Sequence, residues 1–160
     1  MDAHGSSRRK LLYGIGIAAV GAAGAAWGLG LAGGAPAVAG EVTVYKSPSC
    51  GCCGGWVAHM RANGFRVTVN NLDDLDPVKE LAGVPDALVS CHTAFVGGYA
   101  IEGHVPAASV LRLLAERPAA RGLAVPGMPA SAPGMDGPEA EPYTVLAFDA
   151  EGRTRFWDAY

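Results

Sequence analysis

Apolar and polar positions alternate through Glu41-Val42-Thr43-Val44-Tyr45-Lys46, a β-rich run that predicts a first strand. Ser47-Pro48-Ser49 follows as a turn and helix-entry signal. Trp56, Val57 and Met60 then fall at helical spacing, so a helix is expected from about Cys52 to Ala62, stopped by Asn63-Gly64. Phe65-Arg66-Val67-Thr68-Val69-Asn70 returns to the two-residue period of a strand. Leu72 to Leu81 suggests a short helix starting near Pro77 and closed by Gly83. His92 to Val96 and Tyr99 to Glu102 predict a hairpin turning at Gly97-Gly98. Pro106, at a first helical position, opens an amphipathic helix through Val110, Leu111 and Leu114 that ends before Pro118.

This β-α-β-α-β-β-α order is that of the α/β, thioredoxin-like fold, whose first two strands run parallel and therefore need a helical crossover. Residues 40–117 are assigned to that core. Beyond it the pattern changes. Pro118 to Pro142 is rich in Pro, Gly and Ala without periodicity, and reads as a structureless loop, a kind of segment that is usually functional or disordered. Tyr143 to Asp149 and Thr154 to Trp157, joined by Ala150-Glu151-Gly152-Arg153, predict a terminal β-hairpin packed on the same domain, so that 118–160 forms a methionine-containing appendage. There is no domain-scale repeat.

Residues 1–39 differ from the rest. Ser7-Arg8-Arg9-Lys10-Leu11-Leu12 resembles the twin-arginine export pattern, a weakly hydrophobic stretch runs to Leu31, and Ala37-Val38-Ala39 supplies the small residues that signal peptidase reads. The expected mature terminus is Gly40 and the expected compartment the periplasm. The alternative is an uncleaved anchor facing the periplasm, because the stretch is long enough to span a bilayer, although its Gly/Ala content makes it a weak span. Twin-arginine export carries a folded domain, so a metal site could be loaded before export. The leader carries a formal charge of +2 and the remainder −5. An acidic domain without a basic run is a poor partner for nucleic acid, and after cleavage nothing in its charge draws it to a membrane.

All four cysteines fall in the mature region, and three are packed into Cys50-Gly51-Cys52-Cys53 at a predicted helix N-terminus. A disulfide framework would spread its cysteines along the chain. Here the helix dipole and free N–H groups favour thiolate, a soft ligand suited to copper(I), zinc or iron–sulfur centres. Cys50 and Cys53 can share one face of the first turn, whereas Cys52 points about 100° away around the helix. Thiolates fanned out in this way are better placed to bridge several ions than to converge on one, and several Cu⁺ ions would neutralise their crowded charge.

A redox reading competes, since Cys50-x-x-Cys53 is the spacing of a thioredoxin-type disulfide. Cys52 would then be an extra thiol inviting scrambling. In glutaredoxin-like sequences, moreover, a cis-proline stands two residues before the position of Ala94; here Cys91-His92 occupies that place.

Cys91 by itself suits a small buried hydrophobe and His92 a satisfied core histidine, but as neighbours at this position both are assigned as metal ligands. His104, in Glu102-Gly103-His104, falls on the active-site side of a thioredoxin-like fold; ligation and plain surface solvation account for it equally well. Met60 is read as core. Pro126-Gly127-Met128 and Pro133-Gly134-Met135 repeat a unit in which a soft thioether sits where no packed face can form, so Met128 and Met135 are candidates for copper(I) ligation or capture, with capping of a sheet edge as the alternative.

The strand entering Ser47-Pro48-Ser49-Cys50-Gly51-Cys52-Cys53, together with Ser90-Cys91-His92-Thr93-Ala94, Val96-Gly97-Gly98-Tyr99, Glu102-Gly103-His104-Val105-Pro106-Ala107 and the segment from Met128-Pro129 to Met135, closely resembles the CopG-type copper-resistance proteins. The resemblance runs from about Val42 to Phe148. It implies an envelope protein of thioredoxin-like fold with cysteine-bridged copper(I), more than one ion, acting in copper tolerance. Onto this chain it carries Cys50, Cys52, Cys53 and Cys91 as cluster thiolates, with His92 and His104 beside them. The expected function is sequestration or transfer of copper(I), with copper ions and a periplasmic copper donor or efflux protein as partners. Three alternatives stand beside it: a thiol–disulfide oxidoreductase using Cys50 and Cys53, a copper oxidoreductase, and a structural zinc site.

Overall fold

The computed structural model describes residues 39–135, 137 and 141–160. The expected signal segment lies outside them, apart from its last residue, Ala39. Among the described residues no helix is long and apolar enough to cross a membrane.

The chain forms β1 (Gly40–Lys46), α1 (Gly51–Ala62), β2 (Phe65–Asn71), α2 (Asp76–Ala82), a 3₁₀ turn at Asp86–Leu88, β3 (His92–Val96), β4 (Tyr99–Glu102), α3 (Ala107–Glu116), β5 (Gly122–Ala124), β6 (Thr144–Phe148) and β7 (Thr154–Ala159). The strands make one seven-stranded sheet in the order β2-β1-β3-β4-β5-β6-β7. Its β1/β2 and β4/β5 pairs are parallel and the others antiparallel. Through α3 the elements follow the order read from the periodicity.

Alternation along each strand sends its residues to opposite faces. Val42, Val44, Ala94, Val96 and Ile101 join Trp56, Val57 and Met60 of α1 and Ala107, Val110 and Leu113 of α3 in the larger core. Ala100, Ala124 and Phe148 pack with Ala82 of α2 and Leu88 in a second cluster. The expected stripe of α3 is shifted: Leu111 is exposed and Leu113 wholly buried. Pro106, extended at φ −60° and ψ 143°, is the N-cap of α3 rather than its first helical residue.

The structureless reading of Pro118 to Pro142 is corrected. Gly122–Ala124 is a buried strand that pairs with both β4 and β6, and so carries the terminal hairpin into the main sheet. A Cβ on Gly122 would stand 2.1 Å from the Ala100 carbonyl oxygen, which is why the strand opens on glycine. Three residues beginning with glycine show no readable period.

One register positions the site. Lys46 pairs with His92, so the end of β1 leading to Cys50 lies beside the start of β3, next to Cys91. At the other end of the β3–β4 hairpin, Gly97 and Gly98 take φ of 57° and 92°, the left-handed conformation a tight two-residue turn requires.

Candidate metal centre

Cys50 is the N-cap of α1, with φ −75° and ψ 100°, and no side chain caps that helix. Its own N–H donates to the Ser47 carbonyl at 3.1 Å, closing the turn after β1. Cys52 and Cys53 lie in the first turn of α1, where unpaired N–H groups and the helix dipole favour negative charge. Because Cys50 is outside the helix, the wide fan projected from helical geometry is not what forms. The Sγ atoms of Cys50 and Cys52 are 3.5 Å apart. Cys50 and Cys53 are joined in a disulfide with a Cα–Cα separation of 5.5 Å, leaving Cys52 and Cys91 as free thiols.

The four sulfurs of Cys50, Cys52, Cys53 and Cys91 all lie within 4.8 Å of one another. Cys53 is wholly buried and its sulfur is 3.7 Å from the Cys91 carbonyl oxygen, while the other three cysteines are half-exposed. A second cluster, Cys91, His92 and His104, shares the same 4.8 Å limit and meets the first at Cys91.

The histidines are buried, not solvated. His104 Nδ1 is 2.7 Å from the Pro133 carbonyl oxygen. A carbonyl accepts only, so Nδ1 carries the hydrogen and the lone pair of Nε2 faces the Cys91 sulfur at 3.1 Å. His92 Nδ1 is 3.4 Å from that sulfur, and its Nε2 is buried without a partner among the described residues. The His92 ring packs against Trp56 and edge-on to His104, with centroids 4.5 and 5.1 Å away. Burial pushes the His92 pKa down to about 3, aided by the His104, Lys79 and Lys46 charges, and burial also lowers that of His104. Both therefore stand neutral, the form that ligates a metal. Burial, followed by the nearby Cys52, pushes the Cys91 thiol up to about 11. A bound cation would oppose that shift and deprotonate the thiol.

Two supports were not read from the sequence. The first is Glu102, wholly buried at the end of β4. It accepts from Lys79 Nζ (2.6 Å), Thr93 Oγ1 (2.7 Å) and the Ser90 N–H (2.6 Å), tying α2, β3 and the residue before Cys91 together. In the sequence, Glu102 and Lys79 look like ordinary solvated charges, and no local pattern marks their pairing.

The second is the segment from Val125 to Met135. The Val125 N–H donates to the Glu102 carbonyl, Ser90 Oγ donates to that of Gly127, and the Pro133 carbonyl meets His104. Gly134, at φ +85°, then lies so close to α1 that a Cβ there would be 2.2 Å from the Trp56 nitrogen and 2.9 Å from the Cys52 oxygen. The segment is an ordered strap along the cysteine helix. Met135 follows Gly134 and is half-buried; Met128 is 56% exposed and lines a surface groove with Glu141 and Tyr143.

Four cysteine sulfurs, two of them free thiols, two neutral imidazoles and no carboxylate within either cluster make a soft donor set, suited to copper(I) first and to zinc second.

A family model described as a protein of unknown function, DUF411, matches residues 88–135, which include Cys91, His92, His104, Met128 and Met135. The chain is similar to a solved structure titled copper resistance protein copG, form 1, at 41% identity and a TM-score of 0.71, covering 75% of this chain and 96% of that one. Form 2 of the same protein matches at 41% identity and a TM-score of 0.71, covering 76% and 98%. No curated protein matches the chain.

Proposed function

The chain belongs to the CopG copper-resistance family, and from that premise we propose that it is a periplasmic protein that sequesters or transfers copper(I) on a thiolate cluster. One observation carries the reading: sulfurs from α1 and from the start of β3, nearly forty residues apart in sequence, meet within 4.8 Å, with two buried imidazoles at the fourth. Cys50, Cys52, Cys53 and Cys91 are the ligands, with His104 through Nε2 and His92 through Nδ1 at the Cys91 side. Once the disulfide is opened, four thiolates in this volume carry more charge than one Cu⁺ can balance, so more than one ion is expected. Met128 and Met135 act as capture ligands on the strap.

We assign residues 1–39 to a twin-arginine signal, 40–117 to a thioredoxin-like core and 118–160 to an appendage of the same domain. The β2-β1-β3-β4 order with a parallel crossover and an antiparallel hairpin supports that core. Partners would be copper ions and a periplasmic donor or efflux protein. Copper is the cargo in this scheme.

The Cys50–Cys53 disulfide favours a second reading, a thiol–disulfide or copper oxidoreductase. Metal analysis of reduced protein purified anaerobically separates the two. Copper bound in more than one equivalent, and lost in Cys91→Ser, supports storage or transfer. Protein without copper that reduces disulfides through Cys50 and Cys53 supports the enzyme, and a stoichiometric zinc content would sink both.

A further inference from the structure

We propose that Cys52 and Cys91 hold one copper(I) ion while Cys50 and Cys53 remain joined, so that opening the disulfide with an external dithiol raises the metal capacity of the site. The inference rests on the copper(I)–thiolate reading above and adds its regulation.

Disulfide sulfurs carry no thiolate charge and are poor ligands, so the joined form has lost half its cluster. The two free thiols are Cys52 on α1 and Cys91 before β3. They lie within 4.8 Å of one another. A two-coordinate ion with metal–sulfur bonds near 2.3 Å needs sulfurs about 4.6 Å apart. Copper(I) accepts such a set, whereas zinc asks for four ligands. That requirement is not met here. His92 and His104 group with Cys91, and the two clusters share Cys91 alone, so no four-donor set containing both free thiols is assembled among the described residues. The joined form is therefore a one-ion site that prefers copper(I) to zinc.

Burial decides how the disulfide opens. Cys53 is wholly buried and Cys50 half-exposed. A thiolate of the external dithiol attacks Cys50 Sγ, forming a mixed disulfide and breaking the Cys50–Cys53 bond. Cys53 departs as a thiolate in the first turn of α1, where the dipole receives the charge. The second thiol of the reagent then attacks its own sulfur in the mixed disulfide and frees Cys50. Two electrons have passed to the cysteine pair, the dithiol leaves as a cyclic disulfide, and its two protons follow to the pair or to water. Four thiolates now face one another where two did before.

The test is an anaerobic copper(I) titration of the purified protein against a chromophoric chelator, with disulfide status verified by differential alkylation and mass. The oxidised protein should bind one equivalent and the dithiol-reduced protein at least two. Copper should protect Cys52 and Cys91 from alkylation in the oxidised form. Cys52→Ser and Cys91→Ser should each remove the oxidised equivalent, and a Cys50→Ser/Cys53→Ser double variant should show no rise in capacity on addition of dithiol. Oxidised protein that binds no copper, or as much as the reduced form, overturns the proposal even if the reduced cluster fills. If neither form binds copper, the reading of the site falls as well.

Discussion

The Ser90 N–H donates to Glu102 Oε1 at 2.6 Å, which fixes the residue before Cys91 to a carboxylate with no solvent exposure. The same oxygen receives Lys79 Nζ, so a buried ion pair holds the site from behind. Breaking such a pair by removing one partner leaves the other charge uncompensated. Glu102→Ala should cost about 3–5 kcal/mol in chemical denaturation. Glu102→Gln keeps an acceptor and should lose less. A paired Glu102→Gln/Lys79→Met change should recover most of the loss in stability. Additive losses in the double variant would mean that the two side chains do not act as a pair.

His59 supplies the pH test. Its Nε2 accepts the Ala107 N–H at 3.0 Å, capping the N-terminus of α3, and burial lowers its pKa from the ordinary 6.5. Folding therefore favours neutral His59. Its contribution is whole above the unfolded value and is lost as pH falls through the lowered folded one, where a protonated ring would face the positive end of a helix. Stability should decline from about pH 6.5 downwards, and His59→Gln, an acceptor that does not titrate, should flatten part of that slope. Parallel slopes for the two proteins would remove His59 as the cause.

Much of this fold is legible in the chain because its signals are local. Val42 and Val44 alternate, Gly97-Gly98 marks a turn, and the cysteines of α1 announce soft-metal or redox chemistry by crowding alone. What was not legible is long-range or lacks a period. The meeting of Cys91 with the other thiols was expected from the family resemblance and not from any local pattern, for it depends on Lys46 lying opposite His92 across two strands. The Glu102–Lys79 pair joins residues 23 apart whose charges look solvated until both are buried. Gly134 carries the clearest structural constraint in the strap, yet in sequence it is one glycine among several in a Pro/Gly-rich run. The expected face of α3 misplaced Leu111 because exposure there is decided by what covers the helix.

Two adjacent glycines should respond to alanine with opposite sign. Gly54 lies within α1 with nothing inside 4 Å of a new Cβ, so Gly54→Ala should stabilise by about 0.5–1 kcal/mol through reduced chain entropy. A Cβ on Gly55 would stand 2.8 Å from the Cα and O of Gly134, both backbone. Gly55→Ala should destabilise by about 1–3 kcal/mol, as should Gly134→Ala, and both should speed hydrogen exchange in residues 129–135 as the strap lifts. Equal effects at Gly54 and Gly55 would show that the strap does not rest on the helix.

The leader makes a separate prediction. Changing Arg8 and Arg9 to lysine should leave precursor in the cytoplasm, while the exported wild-type protein should begin at Gly40 on N-terminal sequencing. An intact N-terminus on protein recovered from the membrane would establish an anchor instead.

The strap methionines separate copper capture from packing. Met128 is mostly exposed and Met135 half-buried, so neither fills the core as Met60 does. Leucine keeps apolar bulk and removes the thioether, which makes Met128→Leu/Met135→Leu a nearly volume-conserving change costing less than about 1.5 kcal/mol. Copper transfer from a chelated donor should slow several-fold, while the equilibrium stoichiometry, set by the cysteines, should stay the same. Restoring Met135 alone should recover more of the rate than restoring Met128, because Gly134, its neighbour in the chain, lies against the helix that bears Cys52. A large fall in melting temperature with an unchanged transfer rate would make both residues packing groups. In that case the strap would act on the site through its backbone, by the Pro133 carbonyl at His104, the Gly127 carbonyl at Ser90 and the close approach of Gly134 to the cysteine helix.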